Sequence, residues 1–385
     1  MVINRDASGA SIPHFSPDSP VKAAQRYDIY LYRNTFFART QDAGPGFPKQ
    51  GGPAGWGQTE RPGRSAAQNP TPHPRPRPPK NYERPEVVFV YVHINRAMNY
   101  RSVANILPAQ AMEMGPITIH QPLPTQRVEQ IDPFLLLHHF GPWAVDPGHD
   151  PLDLGPHPHR GFEPVTFLYN GGLRHRDSRG NTGILEAGDV QWMTAGMGII
   201  HSERGNKNFL ENGGTLEGIQ LWVNLAPEHK FVQPRYQDMK AASFPCHDFG
   251  NGAVLKVVAG EFNGQRGPAK TYSPLIAWQL ELPAGARAEL PVPEDHNFAA
   301  YLLDGKVKTS NGFSHEGRVL LNYKRDGDGI ALTGEAEMTR ILLLGGTPLG
   351  APVAQHGPFV MNTQTEILEA MRDYQMGKMG FYVEG

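Results

Sequence analysis

The chain has one cysteine, no long apolar run and almost no net charge, and each shortage excludes a class of protein. Cys246, being alone, can form neither an internal disulfide nor a zinc-finger framework, so a reducing compartment is expected. No apolar run approaches the ~20 residues that a membrane-spanning helix needs. The N-terminal stretch MVINRDASGASIPHFSPDSP lacks the basic-then-apolar pattern of a signal peptide. We therefore expect a cytoplasmic protein without a membrane anchor.

The charge balance bears on the partners. The 36 basic and 38 acidic residues leave a net charge of −2, so no overall field attracts nucleic acid or an anionic membrane. A small-molecule site or a protein partner is expected instead. The length of 385 residues is sufficient for two domains with buried cores.

The first 97 residues differ in composition from the rest. Residues 41–84 contain ten prolines and seven glycines in 44 positions, which predicts a disordered or polyproline-like extension. The run VVFVYVHI (87–94) reads as a strand, either an added edge strand or a docking segment. A further alternative is that residues 1–97 are not part of the natural protein, because MNYRSVANILPAQ at Met98 resembles a protein start.

Beyond Met98, glycine and proline separate short apolar runs such as GPITIHQPL, PVTFLYN and TRILLLGG. Many short strands with frequent turns are typical of an all-β sandwich or barrel. A second series of such runs begins at about residue 254. The sequence therefore predicts two tandem β-sandwich domains, at 98–238 and 239–385.

One helix is predicted near the end of the chain, in NTQTEILEAMRDYQMGK. Thr363 and Glu366 have the spacing of a capping box, and Ile367, Met371 and Tyr374 would share one face.

Two pairs of residues suggest a metal site. His157 and His159 lie two positions apart in GPHPHRGFEP, and His201 and Glu203 lie two apart in TAGMGIIHSE. In a strand, residues i and i+2 point to the same face, so each pair could converge on one ion. A single His-x-His is weak evidence, since about one is expected by chance among 16 histidines in 385 residues. Two matching pairs favour a site.

Three imidazoles and one carboxylate fill four positions of an octahedron and leave two open, which approaches the arrangement of non-haem iron oxygenases. The absence of a thiolate disfavours structural zinc. Glu163 is a further carboxylate candidate, with an alternative role in holding a ligand ring by a hydrogen bond.

The segment PHPHRGFEPVTFLYNGGLRHRDSRGNTGILEAGDVQWMTAGMGIIHSE (156–203) resembles the pirins, a family of the cupin superfamily. DPFLLLHHFGP (132–142), LWVNLAPEHKFVQPRYQ (221–237) and GPFVMNTQTEI (357–367) fit the same family. The resemblance implies two cupin sandwiches of jelly-roll type. It also implies a metal in the first sandwich alone, bound by His157, His159, His201 and Glu203 but not by Glu163. Fe(II) is the implied ion, although other divalent transition metals suit these ligands.

The second sandwich should lack a metal, because His296 in PEDHNFAAYLLDG has no partner histidine two positions away. Several bacterial pirins resemble quercetin 2,3-dioxygenases, which open a flavonol ring with O2 and release CO. The resemblance thus implies a monomeric enzyme that takes a flavonol-like substrate, with Glu203 as the catalytic base.

The alternative is a non-enzymatic, iron-binding redox sensor that docks to a regulatory protein, as eukaryotic pirins do. In that case RHRDSRG (174–180) would be a partner-binding loop rather than a solvated turn.

An oxygenase also needs an apolar cleft around the metal. The apolar residues near the two dyads could form its wall or belong to the ordinary core; they are Phe162, Phe167, Trp192, Met193, Met197 and Ile199.

Overall fold

The computed structural model describes residues 97–115 and 117–383, and within the first 96 residues it describes the backbone of four strands. Residues 1–96 and 97–385 form two separate compact units. In the first unit, β1 (Val2–Arg5) pairs with β2 (Ser11–His14), and β3 (Tyr27–Tyr32) pairs with β4 (Thr35–Thr40). The remaining part of this unit, including VVFVYVHI, lies outside the described residues. Disorder in residues 1–97 stays a prediction.

The second unit consists almost entirely of antiparallel strands. Its elements in the first half are β5 (Val103–Pro108), β6 (Gln110–Met114), β7 (Ile117–Leu123), β8 (Phe134–Val145), β9 (Leu154–His159), β10 (Phe162–Asn170), β11 (Gly172–Asp177), β12 (Thr182–Glu186), β13 (Val190–Thr194), β14 (Ile199–Gly205), α1 (Lys207–Asn212), β15 (Gly214–Asn224) and β16 (Arg235–Met239), with a 3₁₀ turn at Pro227–His229.

The second half begins with a 3₁₀ turn at Ala241–Ser243. It continues with β17 (Cys246–Asp248), β18 (Val254–Ala259), β19 (Glu261–Phe262), β20 (Gln265–Arg266), β21 (Leu275–Pro283), β22 (Arg287–Pro291), β23 (Asn297–Asp304), β24 (Lys306–Thr309), β25 (Ser314–Glu316), β26 (Val319–Tyr323), β27 (Gly329–Gly334), β28 (Met338–Gly346), β29 (Ala354–His356), β30 (Phe359–Met361) and α2 (Gln364–Gln375).

These strands form two sandwiches, which confirms the predicted all-β architecture. The first pairs a seven-stranded sheet, in the order β16-β13-β10-β15-β8-β7-β6, with a four-stranded sheet, β12-β11-β14-β9. The second pairs β17-β18-β21-β28-β23-β26-β5 with β22-β27-β24-β25. No helix within residues 97–115 and 117–383 is long and apolar enough to cross a membrane.

The two seven-stranded sheets pack against each other and form the main hydrophobic core. Phe167 and Ile219 of the first sandwich share one buried cluster with Tyr301 and Leu342 of the second. Central strands such as β10 are therefore buried on both faces, whereas β12 and β22 in the outer sheets alternate between exposed and buried residues. Continuous apolar runs and alternating runs in the sequence reflect this difference in position.

The chain crosses between the sandwiches at both ends of this unit. β5, predicted as part of the first domain, pairs with β26 in the second sandwich. A short amphipathic strand carries no information about which sheet it will join, so sequence alone could not place it. The division near residue 238 stays a prediction.

The C-terminal helix has the predicted capping box of Thr363 and Glu366. It packs on the first sandwich, where Ile367 shares a buried cluster with Ile200 of β14. Tyr374, predicted on the buried face, is 38% exposed, and its ring lies tilted against Phe359 with the centroids 6.4 Å apart.

Candidate metal centre

Three histidines converge on the inner face of the four-stranded sheet. β9 and β14 are neighbours, and their register places His157 opposite His201 and His159 opposite Ile199. One ring nitrogen from each histidine lies within 4.8 Å of the others. The period of two along each strand points all three rings inward, so strand pairing alone assembles the cluster.

The protonation of these rings suits metal binding. Burial, followed by the nearby imidazoles, holds the pKa values of His159 and His201 well below the usual range, so both rings are neutral. Their four ring nitrogens are buried without a hydrogen-bond partner in the described part of the chain. His157 donates its Nδ1 proton to the carbonyl of Gly155 at 2.8 Å, which leaves Nε2 as a lone-pair donor. Unpartnered buried nitrogens are costly, and a divalent metal ion would compensate for them.

Glu203 lies on the same face of β14 as His201, but its carboxylate is not part of the converging set. The register shifts between these two residues, and such irregularities re-aim side chains. Thr166 Oγ1 donates to Glu203 Oε1 at 3.3 Å, and Gln220 Nε2 donates to Oε2 at 3.1 Å. Burial raises the pKa of the carboxyl group. Its roles as ligand and base stay predictions.

Glu163 faces away from the histidines. On β10, Val165 and Phe167 share its face and belong to the core between the two seven-stranded sheets. The carboxyl group accepts a hydrogen bond from Thr194 Oγ1 at 2.6 Å, and burial raises its pKa to about 7. Strand alternation thus separates this carboxylate from the three histidines.

The predicted apolar wall is partly correct. Phe162 packs edge-on against His159, with ring centroids 5.1 Å apart, and it also contacts Trp222. Phe167 and Trp192 instead belong to the core between the sheets, because they lie on the opposite face of their strands.

Ile199 stays beside the histidines, because it lies opposite His159 and two residues before His201 on the same face of β14. It shares a small buried cluster with Met193. Met197 is partly exposed in a turn, and its carbonyl accepts a hydrogen bond from Arg160. Two wall residues that sequence reasoning missed are Leu136 and Trp222, which cluster with Phe162. The alternation in QLWVN, with Gln220 and Trp222 two apart, was the signal for one of them.

The segment 174–180 is not simply a loop. Its first four residues belong to β11, and His175 and Asp177 point inward with exposures of 2% and 5%. His175 pairs across the sheet with Glu203, and Asp177 pairs with His201. These two side chains are therefore buried beside the histidine cluster and Glu203 and are unavailable to a partner protein.

The C-terminal segment covers the outer side of β14, the strand that carries His201. Tyr382 and Ser202 share a hydrogen bond of 2.6 Å between their hydroxyls, and Ser178 Oγ donates to the carbonyl of Met379 at 2.7 Å. Arg160, directly after His159, forms a 3.0 Å ion pair with Asp373. These contacts explain why both faces of β14 are buried.

A buried lysine ties the turn after β9 to the C-terminal hairpin. Lys230 Nζ donates to the carbonyls of Gly161 at 2.8 Å and Val360 at 2.9 Å, and to Asn224 Oδ1 at 2.6 Å. Gly161 has a φ of 88°, and a Cβ there would collide with the Val360 carbonyl. Burial lowers the pKa of the lysine to about 7.

In the second sandwich, His296 lies beside Asp295, with 3.0 Å between its Nδ1 and the carboxylate. Among the described residues, the cluster that could hold a metal ion consists of His157, His159 and His201, which all belong to the first sandwich. The absence of metal from the second sandwich stays a prediction.

The stacked sandwiches, with a three-histidine centre in the first, define a protein of the bicupin class. Residues 117–223 match the pirin domain, and residues 277–380 match the pirin C-terminal cupin domain. The chain belongs to the pirin family.

Relatives and solved structures support this assignment. A Pseudomonas aeruginosa protein provisionally named quercetin 2,3-dioxygenase is 40% identical over 251 residues, which cover 65% of this chain and 87% of that protein. Pirin-like protein 2 of Arabidopsis thaliana is 39% identical over 65% of this chain and 76% of its own length. The crystal structure of quercetin 2,3-dioxygenase from Acinetobacter baumannii superposes with a TM-score of 0.70 at 37% identity. The superposition covers 73% of this chain and 99% of the Acinetobacter baumannii chain.

Proposed function

We propose that this pirin is a metal-dependent dioxygenase that cleaves a flavonol-like substrate with O2 and releases CO. The observation that carries the proposal is the convergence of three neutral imidazoles on one point beside an apolar wall. The likeness to a quercetin 2,3-dioxygenase structure supports the substrate class.

His157, His159 and His201 would hold the metal, with Glu203 as a fourth ligand. Fe(II) is the proposed ion, because neutral imidazoles with one carboxylate and open positions suit non-haem iron, although other divalent transition metals can accept them. When bound, the metal supplies Lewis acidity towards the substrate oxygen and electron exchange with O2.

The chain itself would perform three tasks. Glu203 would take the proton of the flavonol 3-hydroxyl on one of its oxygens, which Thr166 and Gln220 hold in place. Phe162 and Trp222 would lie against the aromatic substrate and exclude water. The ring would then lose C3 together with its hydroxyl oxygen as CO. Both atoms of O2 would remain in the ester product, one in the ester carbonyl and one in the carboxyl group, to which Glu203 would return the proton.

We further propose a cytoplasmic monomer that binds no nucleic acid, because the three histidines that would hold the metal belong to one chain. Ferrous iron persists in that reducing compartment, where the lone cysteine, Cys246, would also stay reduced.

The test is to purify the full chain without oxygen, load it with Fe(II) and mix it with quercetin and O2. We expect flavonol loss, O2 uptake and CO release in equal amounts. The His296→Ala variant is the matched control and should behave like the wild type. Iron-loaded protein that leaves a panel of flavonols intact would refute the enzyme and favour the redox-regulatory alternative.

A further inference from the structure

A row of polar side chains crosses the inner face of the seven-stranded sheet, directly opposite Glu203. The row consists of successive cross-strand partners, one on each of five neighbouring strands: Asp238, Gln191, Thr166, Gln220 and His138. Thr166 and Gln220, in the middle, are the two donors to Glu203. His138 lies one strand beyond Gln220, a spacing of about 4.8 Å.

The two neighbours that flank Thr166 and Gln220 in the row differ in exposure. On the β13 side, Gln191 is 3% exposed and its amide contacts the buried ring of His175, so it lies between the centre of the row and the exposed Asp238 at that end. On the other side, Gln220, His138 and Gln121 are all half-buried, as is His157. The accessible side of the metal centre therefore lies towards β7 and β8, so a substrate that enters from this side passes His138.

The proton on His138 can be placed from its neighbours. Gln121 Nε2 donates to the carbonyl of Pro124 at 2.9 Å, which fixes the orientation of the amide. Gln121 Oε1 then faces His138 Nε2 at 2.8 Å, so Nε2 must carry the hydrogen. Burial lowers the pKa of His138 to about 4, so the ring is neutral and Nδ1 is an acceptor. Nδ1 has no hydrogen-bond partner among the described residues.

The surroundings of His138 are apolar on both sides along its strand. Leu136, two residues before it, belongs to the cluster with Phe162 and Trp222. Phe140, two residues after it, belongs to a second buried cluster. A single acceptor between two apolar walls suits the edge of a hydroxylated aromatic ring.

From this geometry we infer that His138 determines specificity. Its Nδ1 accepts a hydrogen bond from a phenolic hydroxyl of the substrate, remote from the oxygen that meets the metal. The inference rests on the proposed function, since it assumes a polyphenol bound at the three histidines. It predicts a preference for flavonols that carry further hydroxyls over 3-hydroxyflavone, which has only the metal-binding one.

The experiment measures equilibrium binding without oxygen, so that no turnover occurs, by absorbance titration of metal-loaded full chain. The ligands are quercetin and 3-hydroxyflavone. His138→Phe should weaken quercetin binding about 5- to 15-fold, the effect of one hydrogen bond, and should leave 3-hydroxyflavone binding unchanged. The same change at the exposed His356 should affect neither ligand.

A second pair of variants separates the acceptor from the shape of the ring. His138→Asn places an amide oxygen near the position of Nδ1 and should keep most of the quercetin preference. His138→Gln extends towards the position of Nε2 and should lose it. Equal weakening of both ligands in His138→Phe, or no change in either, would overturn the inference alone. If the wild type binds neither flavonol, the proposed function fails and the inference fails with it.

Discussion

His157 and His201 are directly opposed across β9 and β14, and their ring centroids lie 4.4 Å apart. This one pairing brings together two dyads that are separated by 42 residues between His159 and His201. The ring nitrogens of His159 and His201 are buried and have no hydrogen-bond partner among the described residues. Because buried polar groups in a purely structural role are normally hydrogen-bonded, the cluster suits a metal ion better than a structural role.

Removal of one histidine should abolish metal binding. His201→Ala leaves two imidazoles and Glu203, whose carboxylate is bound by Thr166 and Gln220 and does not converge with the histidines, so we expect metal content to fall from one ion per chain to nearly none. Elemental analysis measures this directly. His296→Ala is the control and should keep full content; a fall there would show that the second sandwich also binds metal.

Glu203→Gln should separate metal binding from turnover. The amide keeps the size of the side chain but loses its charge and basicity, so some iron should remain on three histidines. Turnover should fall by about 10²–10⁴, the effect of removing a general base. Full metal content with full flavonol cleavage would show that the residue is neither ligand nor base.

Acid should destabilise the contact between the sandwiches through Glu217. Burial alone would raise the pKa of this carboxyl group, but hydrogen bonds from His139 and Arg340 hold it at about 2, below its usual 4.5. Because the folded pKa is the lower one, the stabilisation is complete above about pH 4.5 and is lost as the pH falls towards 2.

The expected loss from this group is roughly 2 kcal/mol of unfolding free energy between about pH 7 and about pH 3. Urea unfolding at the two pH values measures it. Glu217→Gln should reduce the difference by that amount, whereas Glu335→Gln, at an exposed position, should not. An unchanged difference in Glu217→Gln would refute the assignment.

Loss of the buried ammonium should loosen the turn after β9. Lys230→Met leaves two buried carbonyls without a donor and should lower the unfolding free energy by about 1–3 kcal/mol. Lys207→Met, at a side chain 88% exposed, should change it by less than about 0.5 kcal/mol. Thermal or urea unfolding compares the two, and equal stabilities would contradict this role.

The segment before Met98 should be dispensable for the metal centre. A chain that starts at Met98 keeps all residues of the second compact unit that pair or pack in the sandwiches, so it should bind one metal ion and melt like the full chain. Loss of soluble protein on truncation would contradict the prediction.

Much of the site could be predicted locally, whereas its surroundings could not. The sequence placed His157 with His159, and His201 with Glu203, because a period of two is a property of any strand. Strand periodicity could not exclude Glu163 from the candidate ligands. It shows that Glu163 and Phe167 share one face of their strand, but not which face lies towards the three histidines. His138 in LLLHHFG was also missed, because its position beside Gln220 depends on a partner strand about 80 residues away.

The sequence alone determined the all-β class, the two strand series, the capped C-terminal helix and the two dyads of candidate ligands, because turns, caps and strand alternation depend on near neighbours. Only the tertiary structure decided that β5 joins the second sandwich, that α2 returns to the first, and that five strands align their polar residues opposite Glu203. These outcomes depend on which sheet faces cover each other. The free energy of that burial comes from the whole chain and is not encoded in any one segment.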